Sequence, residues 1–338
     1  MKVACFSTKS YDQESFDRIL PEHGHKFTYL EAKLDKHTVS LAEGFDAVCT
    51  FVNDHLDETI LKKLAALRVK KIVLRCAGYN QVDLKIAEEL EFKICRVPAY
   101  SPEAVAEHAF ALILSLSRKT HKAYNRVRDN NFSLEGLSGF NLFGKTIGVI
   151  GTGAIGTAFC RIALGFGCKV LAYDLIENKE LKTLGIEYVT LDELLSLSQI
   201  ISLHCPLTPG TKHMINSTTL RQMPDGVMLI NTSRGALIET KSVIKALKNR
   251  KVGYLGIDVY EQEEDLFFRN LSEEILLDEQ ISRLMTFPNV LITGHQAFLT
   301  KEALAQIAKT TLENLDQMEQ NKELINEIKF SEQKSLYP

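Results

Sequence analysis

The chain has no apolar run long enough to cross a bilayer, and its opening residues, MKVACFSTKS, contain no apolar core of signal-peptide length. Both absences point to a cytoplasmic protein that does not engage a membrane. There is no excess of one charge either: 40 Lys and Arg against 43 Asp and Glu leave a net charge of -3. That balance gives no electrostatic footprint for nucleic acid or an anionic lipid surface, so a small, locally bound ligand is expected. The seven cysteines, at positions 5, 49, 76, 95, 160, 168 and 205, show no CxxC spacing, and most lie in apolar runs. They read as reduced, buried thiols, and no metal site is expected. No internal repeat or low-complexity segment is visible, while the polar tail at 328–338 is expected to be poorly ordered.

What is present suffices for two cores. A chain of 338 residues, 45% of them apolar, exceeds one ordinary compact core. Short apolar runs at 3–6, 27–30, 47–51, 71–74 and 92–97 read as strands. Between them lie segments of helical period, such as the one that puts Leu56, Ile60, Leu61, Leu64 and Leu67 on one face. Alternation of this kind predicts a parallel sheet. A second series begins near Lys145, with strands at 146–150, 169–173, 200–203, 227–231, 255–259 and 290–293, and helices that include 154–166, 191–197 and 241–248. The fold class is therefore α/β, with two doubly wound parallel-sheet domains. Residues 102–128 read as one long helix, capped by Ser101 with Pro102 at its first position, and 300–320 as a matching one. Such placement predicts chain crossings near Tyr100 and Phe298, giving a discontinuous domain of 1–100 plus 299–338 and an inserted domain of 101–298.

The run from Thr146 leads a strand directly into Gly151-Thr-Gly153-Ala154-Ile155-Gly156 and then into a helix. In a GxGxxG turn the first glycine permits the tight bend, the second lets a pyrophosphate approach the backbone, and the third lets helix and strand pack closely. Free N–H groups at the helix start meet the phosphate charge. The next strand ends in Asp174, an acid suited to a ribose 2'-hydroxyl and hostile to a 2'-phosphate, which favours NAD over NADP. A surface cap on a turn is the alternative role for Asp174.

Hydride exchange between a nicotinamide and a hydroxyl carbon needs an acid/base, a cation for the substrate carboxylate, and a group that tunes the base. Arg234, in Asn231-Thr-Ser-Arg-Gly235, follows a strand end and offers a planar fork for a carboxylate. His295, in Thr293-Gly-His-Gln-Ala-Phe298, also follows a strand, and imidazole titrates at about 6.5 in isolation. Glu263, in the acidic run Glu261-Gln-Glu-Glu-Asp265, would hydrogen-bond the other ring nitrogen. By residue type alone, a histidine after a strand is as readily structural, and an acidic run as readily a solvated face.

These blocks, together with Leu203-His-Cys-Pro-Leu-Thr208, Leu229 to Ala236, Gly256-Ile-Asp-Val-Tyr-Glu261 and Gly294 to Phe298, resemble in order and spacing the motifs of the D-isomer-specific 2-hydroxyacid dehydrogenases. The likeness covers nearly the whole chain. It is nearest to the fermentative D-lactate dehydrogenases at Leu74-Arg-Cys-Ala-Gly78, Glu264 to Phe268 and His295 to Thr300. The resemblance implies a flavodoxin-like substrate domain and an inserted Rossmann NAD domain, and binding between two domains suggests closure about the two crossings to expel water. It makes Arg234 the carboxylate clamp, His295 the acid/base and Glu263, chosen over Glu261 and Glu264 by spacing, its partner. Substrate contacts are implied at Cys76, Ala77 and Gly78 through backbone N–H groups, at Tyr100 through its hydroxyl, and at Phe298 as a wall. Cofactor contacts are implied at Gly151, Gly153, Ala154, Ile155, Gly156, Asp174, His204, Cys205, Pro206, Thr211, Thr232, Ser233 and Asp258. Asp258 has a strand-end cap as its alternative, and Cys205 and Leu299 sit where family members vary. Reduction of pyruvate to D-lactate with NADH is the implied activity, and Phe51, Tyr100 and Phe298 are consistent with a small apolar pocket. A bulkier 2-oxo acid, or an NAD-sensing corepressor-like module without catalysis, are the rivals. A Rossmann domain for another nucleotide fits the joint presence of Arg234, Glu263 and His295 poorly. A homodimer formed through 102–128 is also implied.

Overall fold

The computed structural model describes residues 1–330, so most of the polar tail read above as poorly ordered lies outside the described residues. The chain divides into two compact units, Met1–Ser101 with Leu299–Pro338, and Pro102–Phe298. In the first, β1 (Lys2–Cys5), β2 (Lys26–Tyr29), β3 (Ala47–Thr50), β4 (Lys71–Leu74) and β5 (Lys93–Arg96) form a parallel sheet ordered β2-β1-β3-β4-β5. This is the flavodoxin-like order. One face buries Val3, Cys5, Ala47, Cys49, Val73 and Cys95 against Ala308, Leu312, Leu315 and Met318 of the helix Lys301–Glu319. The chain thus returns after the second unit to cover the first sheet. Thr300 caps that helix through its side chain, which accepts from the Ala303 N–H. Residues just beyond it line the β5 edge, where Arg96 N–H donates to the Asn326 carbonyl (3.1 Å) and Ile328 N–H to the Ile94 carbonyl (2.9 Å). That pairing protects an otherwise open strand.

The second unit carries β6 (Thr146–Ile150), β7 (Lys169–Tyr173), β8 (Glu187–Tyr188), β9 (Ile200–Leu203), β10 (Val227–Asn231), β11 (Val252–Ile257) and β12 (Val290–Ile292). All its pairings are parallel, in the order β12-β11-β10-β9-β6-β7-β8. The order reverses between β6 and β9, the switch point at which doubly wound sheets bind ligands. Strand β8 escapes sequence reading because two residues are too few to show a period. The expected single helix over 102–128 is instead two, Pro102–Arg118 and Thr120–Arg128, broken at Lys119, whose φ of 54° is left-handed. The break has a tertiary partner: the Ser117 carbonyl, which a continuous helix would turn to residue 121, accepts from the Phe140 N–H at 3.3 Å.

All seven cysteines are free and buried. Among the described residues no helix is long and apolar enough to cross a membrane, and no group of three or more His, Cys, Asp or Glu side chains could hold a metal ion.

Candidate active site

At the end of β6, Gly151 adopts a φ of 94°, and a Cβ there would sit 2.6 Å from the Cys205 nitrogen. Gly156 lies so close to the Gly151 carbonyl that a Cβ would collide with it. Gly153 differs: nothing lies within 4 Å of its would-be Cβ, so the approach to the backbone is open. It caps the helix Ala154–Gly165 without any side-chain acceptor, so the first-turn N–H groups, those of Ala154 and Ile155 included, lack a capping side chain and suit an anion. Asp174, just past β7, is tied to this turn: its Oδ2 accepts from the Thr152 N–H (2.5 Å) and hydroxyl (3.1 Å), and its Oδ1 from the Ile176 N–H (3.3 Å). The turn cap and the sugar-facing acid are therefore compatible, since a carboxylate has further acceptor sites.

Across the switch point, the His204 ring packs on Phe159 with centroids 4.7 Å apart, and its Nε2 meets the Ser202 hydroxyl at 2.8 Å. Burial pushes its pKa down to about 3, so it is a neutral spacer and not a phosphate-binding cation. Cys205 is a protonated thiol, pushed up to about 12 by burial. The Ser233 hydroxyl donates to the Cys205 carbonyl (2.6 Å), which ties the loop after β10 to the loop after β9, and the Thr211 hydroxyl donates to the Pro206 carbonyl (2.7 Å) within the latter. Beside them the Thr232 hydroxyl is buried without a hydrogen-bond partner, a cost that a bound polar group would remove. An open glycine, uncapped helix N–H groups and an orphaned hydroxyl together fit a dinucleotide.

Arg234 leaves β10 with an extended backbone, its carbonyl accepting from Asn231 Nδ2 (2.8 Å). Gly235 follows because its α-carbon lies against the Tyr260 carbonyl, leaving no room for a Cβ. This contact brings the Arg234 segment beside the loop that carries Glu263. Glu263 Oε1 lies 2.9 Å from His295 Nδ1, and its Oε2 accepts from the Tyr260 N–H at 2.7 Å. Glu261 is engaged elsewhere, with His213 Nε2 (2.6 Å) and the Thr240 N–H (3.0 Å). An ionised Glu263 can only accept, so Nδ1 of His295 carries the proton and Nε2 is left for other chemistry. Both side chains are largely enclosed, at 14% and 23% exposure.

His295 has a φ of 53°, and its N–H donates to the Asp258 carbonyl at 2.7 Å. The Asp258 side chain, 0% exposed, accepts from the Gln296 N–H (2.9 Å), the Ala297 N–H (2.8 Å) and the Thr293 hydroxyl (2.5 Å). Burial alone would raise its pKa; hydrogen bonds from His108, Thr293, Ala297 and Gln296 outweigh it and hold the carboxyl below its ordinary value. Asp258 therefore serves the loop bearing His295. Phe298, 7% exposed, ends that loop.

Cys76, Ala77, Gly78 and Tyr100 belong to the first unit. The Cys76 thiol donates to the Gly78 carbonyl (3.2 Å), and Arg96 holds the Ala77 carbonyl (2.8 Å), a residue that no sequence motif marks. The loop springs from Arg75, 1% exposed, whose guanidinium donates to the carbonyls of Phe6 (3.0 Å) and Ser7 (2.7 Å) and lies 4.4 Å from the Phe51 ring centroid. Phe51, expected at a pocket wall, is thus packed beneath a buried cation.

Residues 110–297 match the D-isomer specific 2-hydroxyacid dehydrogenase, NAD binding domain. A 2-hydroxyacid dehydrogenase homolog of Haemophilus influenzae is 52% identical over 322 residues, covering 95% of this chain and 97% of that protein. The apo-structure of D-lactate dehydrogenase from Escherichia coli superposes with a TM-score of 0.89 at 49% identity, covering 97% of this chain and 100% of that one. A D-lactate dehydrogenase of Aquifex aeolicus, solved with NAD and lactic acid, is 34% identical with a TM-score of 0.86, over 96% of this chain and 98% of that one. The chain belongs to the D-isomer-specific 2-hydroxyacid dehydrogenases. It is an enzyme of that family, and NAD is its cofactor.

Proposed function

We propose that the chain reduces pyruvate to D-lactate, reversibly, with His295 as acid/base, Glu263 as its partner and Arg234 as the carboxylate clamp. The observation that carries the reading is the 2.9 Å contact of His295 Nδ1 with Glu263, in a loop at the carboxyl end of a doubly wound sheet. When bound, the dinucleotide supplies the hydride, or accepts it in the reverse direction. Its phosphates would be held by the N–H groups that begin the helix at Ala154, its ribose by Asp174, and its remaining polar groups beside His204, Cys205, Pro206, Thr211, Thr232 and Ser233. In reduction, His295 Nε2 gives its proton to the carbonyl oxygen as that oxygen gains negative charge. Glu263, in contact with Nδ1, keeps the ring in one orientation throughout the transfer. Arg234 fixes the carboxylate and stabilises developing oxyanion charge. Cys76, Ala77, Gly78, Tyr100 and Phe298 complete the substrate set in this proposal.

A homodimer is part of the reading. The helix Thr120–Arg128 has no buried residue and exposes Tyr124 (63%) and Val127 (49%), which supports a covering partner copy. Seven free thiols support a reducing, cytoplasmic compartment.

The test is the rate of NADH oxidation on pyruvate, 2-oxoisocaproate, phenylpyruvate, hydroxypyruvate and glyoxylate, with chiral analysis of each product. Fastest turnover of pyruvate to D-lactate is expected. Preference for a bulkier acid would replace the substrate, and tight NADH binding without turnover would favour a sensor. His295→Gln is expected to cut kcat by at least about 100-fold while NADH still binds; near-normal turnover would remove His295 from the mechanism.

A further inference from the structure

We infer that His108, on the helix Pro102–Arg118, is a positioning residue for the reaction: its Nε2–H holds Thr293 and Asp258 and so sets the loop that presents His295. The inference rests on the acid/base reading of His295 given above. It starts from a proton count. Thr293 Oγ1 lies 2.5 Å from Asp258 Oδ1, and an ionised carboxylate can only accept, so the single hydroxyl proton points to Asp258. His108 Nε2 lies 3.0 Å from the same Oγ1, and that oxygen has only lone pairs left to offer. Nε2 must therefore carry a hydrogen and donate it. The same nitrogen lies 3.4 Å from Asp258 Oδ1, close enough to favour the carboxylate directly.

The result is a directed chain, from His108 through the Thr293 hydroxyl to a carboxylate that has no exposure to solvent. That carboxylate receives the N–H groups of the two residues after His295, while the Asp258 main-chain carbonyl receives the N–H of His295 itself. A histidine at φ 53° sits where side-chain-bearing residues are uncommon, and it stays there only if its surroundings over-determine it. The three N–H bonds to Asp258 supply that restraint. His108 supports it from another element, the long helix, which gives the loop a further point of attachment. The His108 side chain is 16% exposed, so its hydrogen bond is shielded from competing water.

The experiment compares His108→Leu, His108→Gln, His108→Asn, Thr293→Val and the Leu/Val double variant in the full-length enzyme. Readouts are kcat on pyruvate and NADH affinity by fluorescence quenching. Leucine keeps apolar bulk but no donor, and glutamine can place an amide N–H near the Nε2 position. Asparagine is too short to reach. Leu and Val variants are each expected to lose about tenfold or more in kcat with NADH affinity within about twofold. The double variant should be no worse than the poorer single, and glutamine should recover most of the loss. Parent-like kcat in His108→Leu overturns the inference, as does a glutamine variant as impaired as leucine, since bulk and not the donor would then matter. Should His108→Leu not fold, glutamine against asparagine decides: a slow Asn beside a fast Gln supports the role, and equal rates overturn it. His295→Gln, run alongside, separates the two readings. Its collapse with a parent-like His108→Leu removes only this inference, whereas a near-normal His295→Gln removes the acid/base assignment itself.

Discussion

At the scale of single residues, three of the second unit's histidines, His295, His108 and His204, are put to different uses, and their partners decide which. His295 is paired with a carboxylate that fixes its tautomer, and His108 donates into a chain that ends on another carboxylate. His204 meets the Phe159 ring and the Ser202 hydroxyl, and burial leaves it neutral with a pKa of about 3. A histidine whose folded pKa is depressed binds protons less readily than in the unfolded chain, where the value is about 6.5. Stability from this group is therefore fully present above pH about 6.5 and is lost as pH falls toward about 3. His204→Asn should flatten that acid-side loss. Thermal midpoints measured from pH 7.5 to pH 4 are expected to fall less steeply in the variant than in the parent, although the variant starts lower at neutral pH. Parallel slopes would mean that His204 is protonated in the fold at far higher pH than its burial allows. The wider point is chemical: the resemblance implies His204 as a cofactor contact, and its surroundings make it a neutral one.

At the scale of elements, the turn from β6 into the helix Ala154–Gly165 separates two uses of glycine that the motif prints alike. Gly156 is forced by backbone contact with Gly151, whereas Gly153 has empty space where a side chain would be. Gly153→Ala is accordingly expected to fold with a thermal midpoint close to the parent's but to bind NADH about tenfold or more weakly. Gly156→Ala should instead lose stability, by about 1–3 kcal/mol, because the backbone must move to admit a methyl group. Calorimetry and NADH titration on both variants check this, and equal behaviour of the two would refute the distinction. The same turn shows what a sequence discloses. Period and glycine placement mark β6, the turn and β7 with their boundaries almost unshifted, because each carries its own local signal. The break at Lys119 is invisible, since its tertiary partner, the Phe140 N–H, reaches the Ser117 carbonyl from a distant stretch. Likewise Glu263 is separable from Glu261 by residue pattern only through resemblance, while in the fold His213 and Thr240 visibly occupy Glu261. Arg96 and His108, which hold the loops at Ala77 and Thr293, carry no motif at all, because supporting hydrogen bonds are set by tertiary approach.

At the scale of the whole molecule, the order of the chain and the order of the cores differ: the first sheet is completed only by residues that follow the second unit. Val3, Cys5, Ala47 and Cys49 face Leu312 and Leu315, so the first core needs both ends of the chain. In the second unit, two core clusters are built from residues within Pro102–Phe298. Damage to the late helix should therefore be selective. Leu312 is 0% exposed, and Leu312→Ala leaves a cavity expected to cost about 2–5 kcal/mol in the first core. The glycine turn, Asp174 and Thr232, which hold the dinucleotide in our reading, belong to the second unit, and Leu312 to the first. NADH affinity at 25 °C should then stay within about twofold of the parent, since a ligand site keeps its affinity while its own core stays folded. Thermal unfolding followed with and without saturating NADH makes the comparison quantitative. An early transition that NADH does not shift, followed by a later one that it raises, is the expected pattern for the variant. A single transition raised as a whole by NADH would instead mean that the two cores unfold as one unit, and that closing the first sheet with the last helix couples them more tightly than their separate compositions imply.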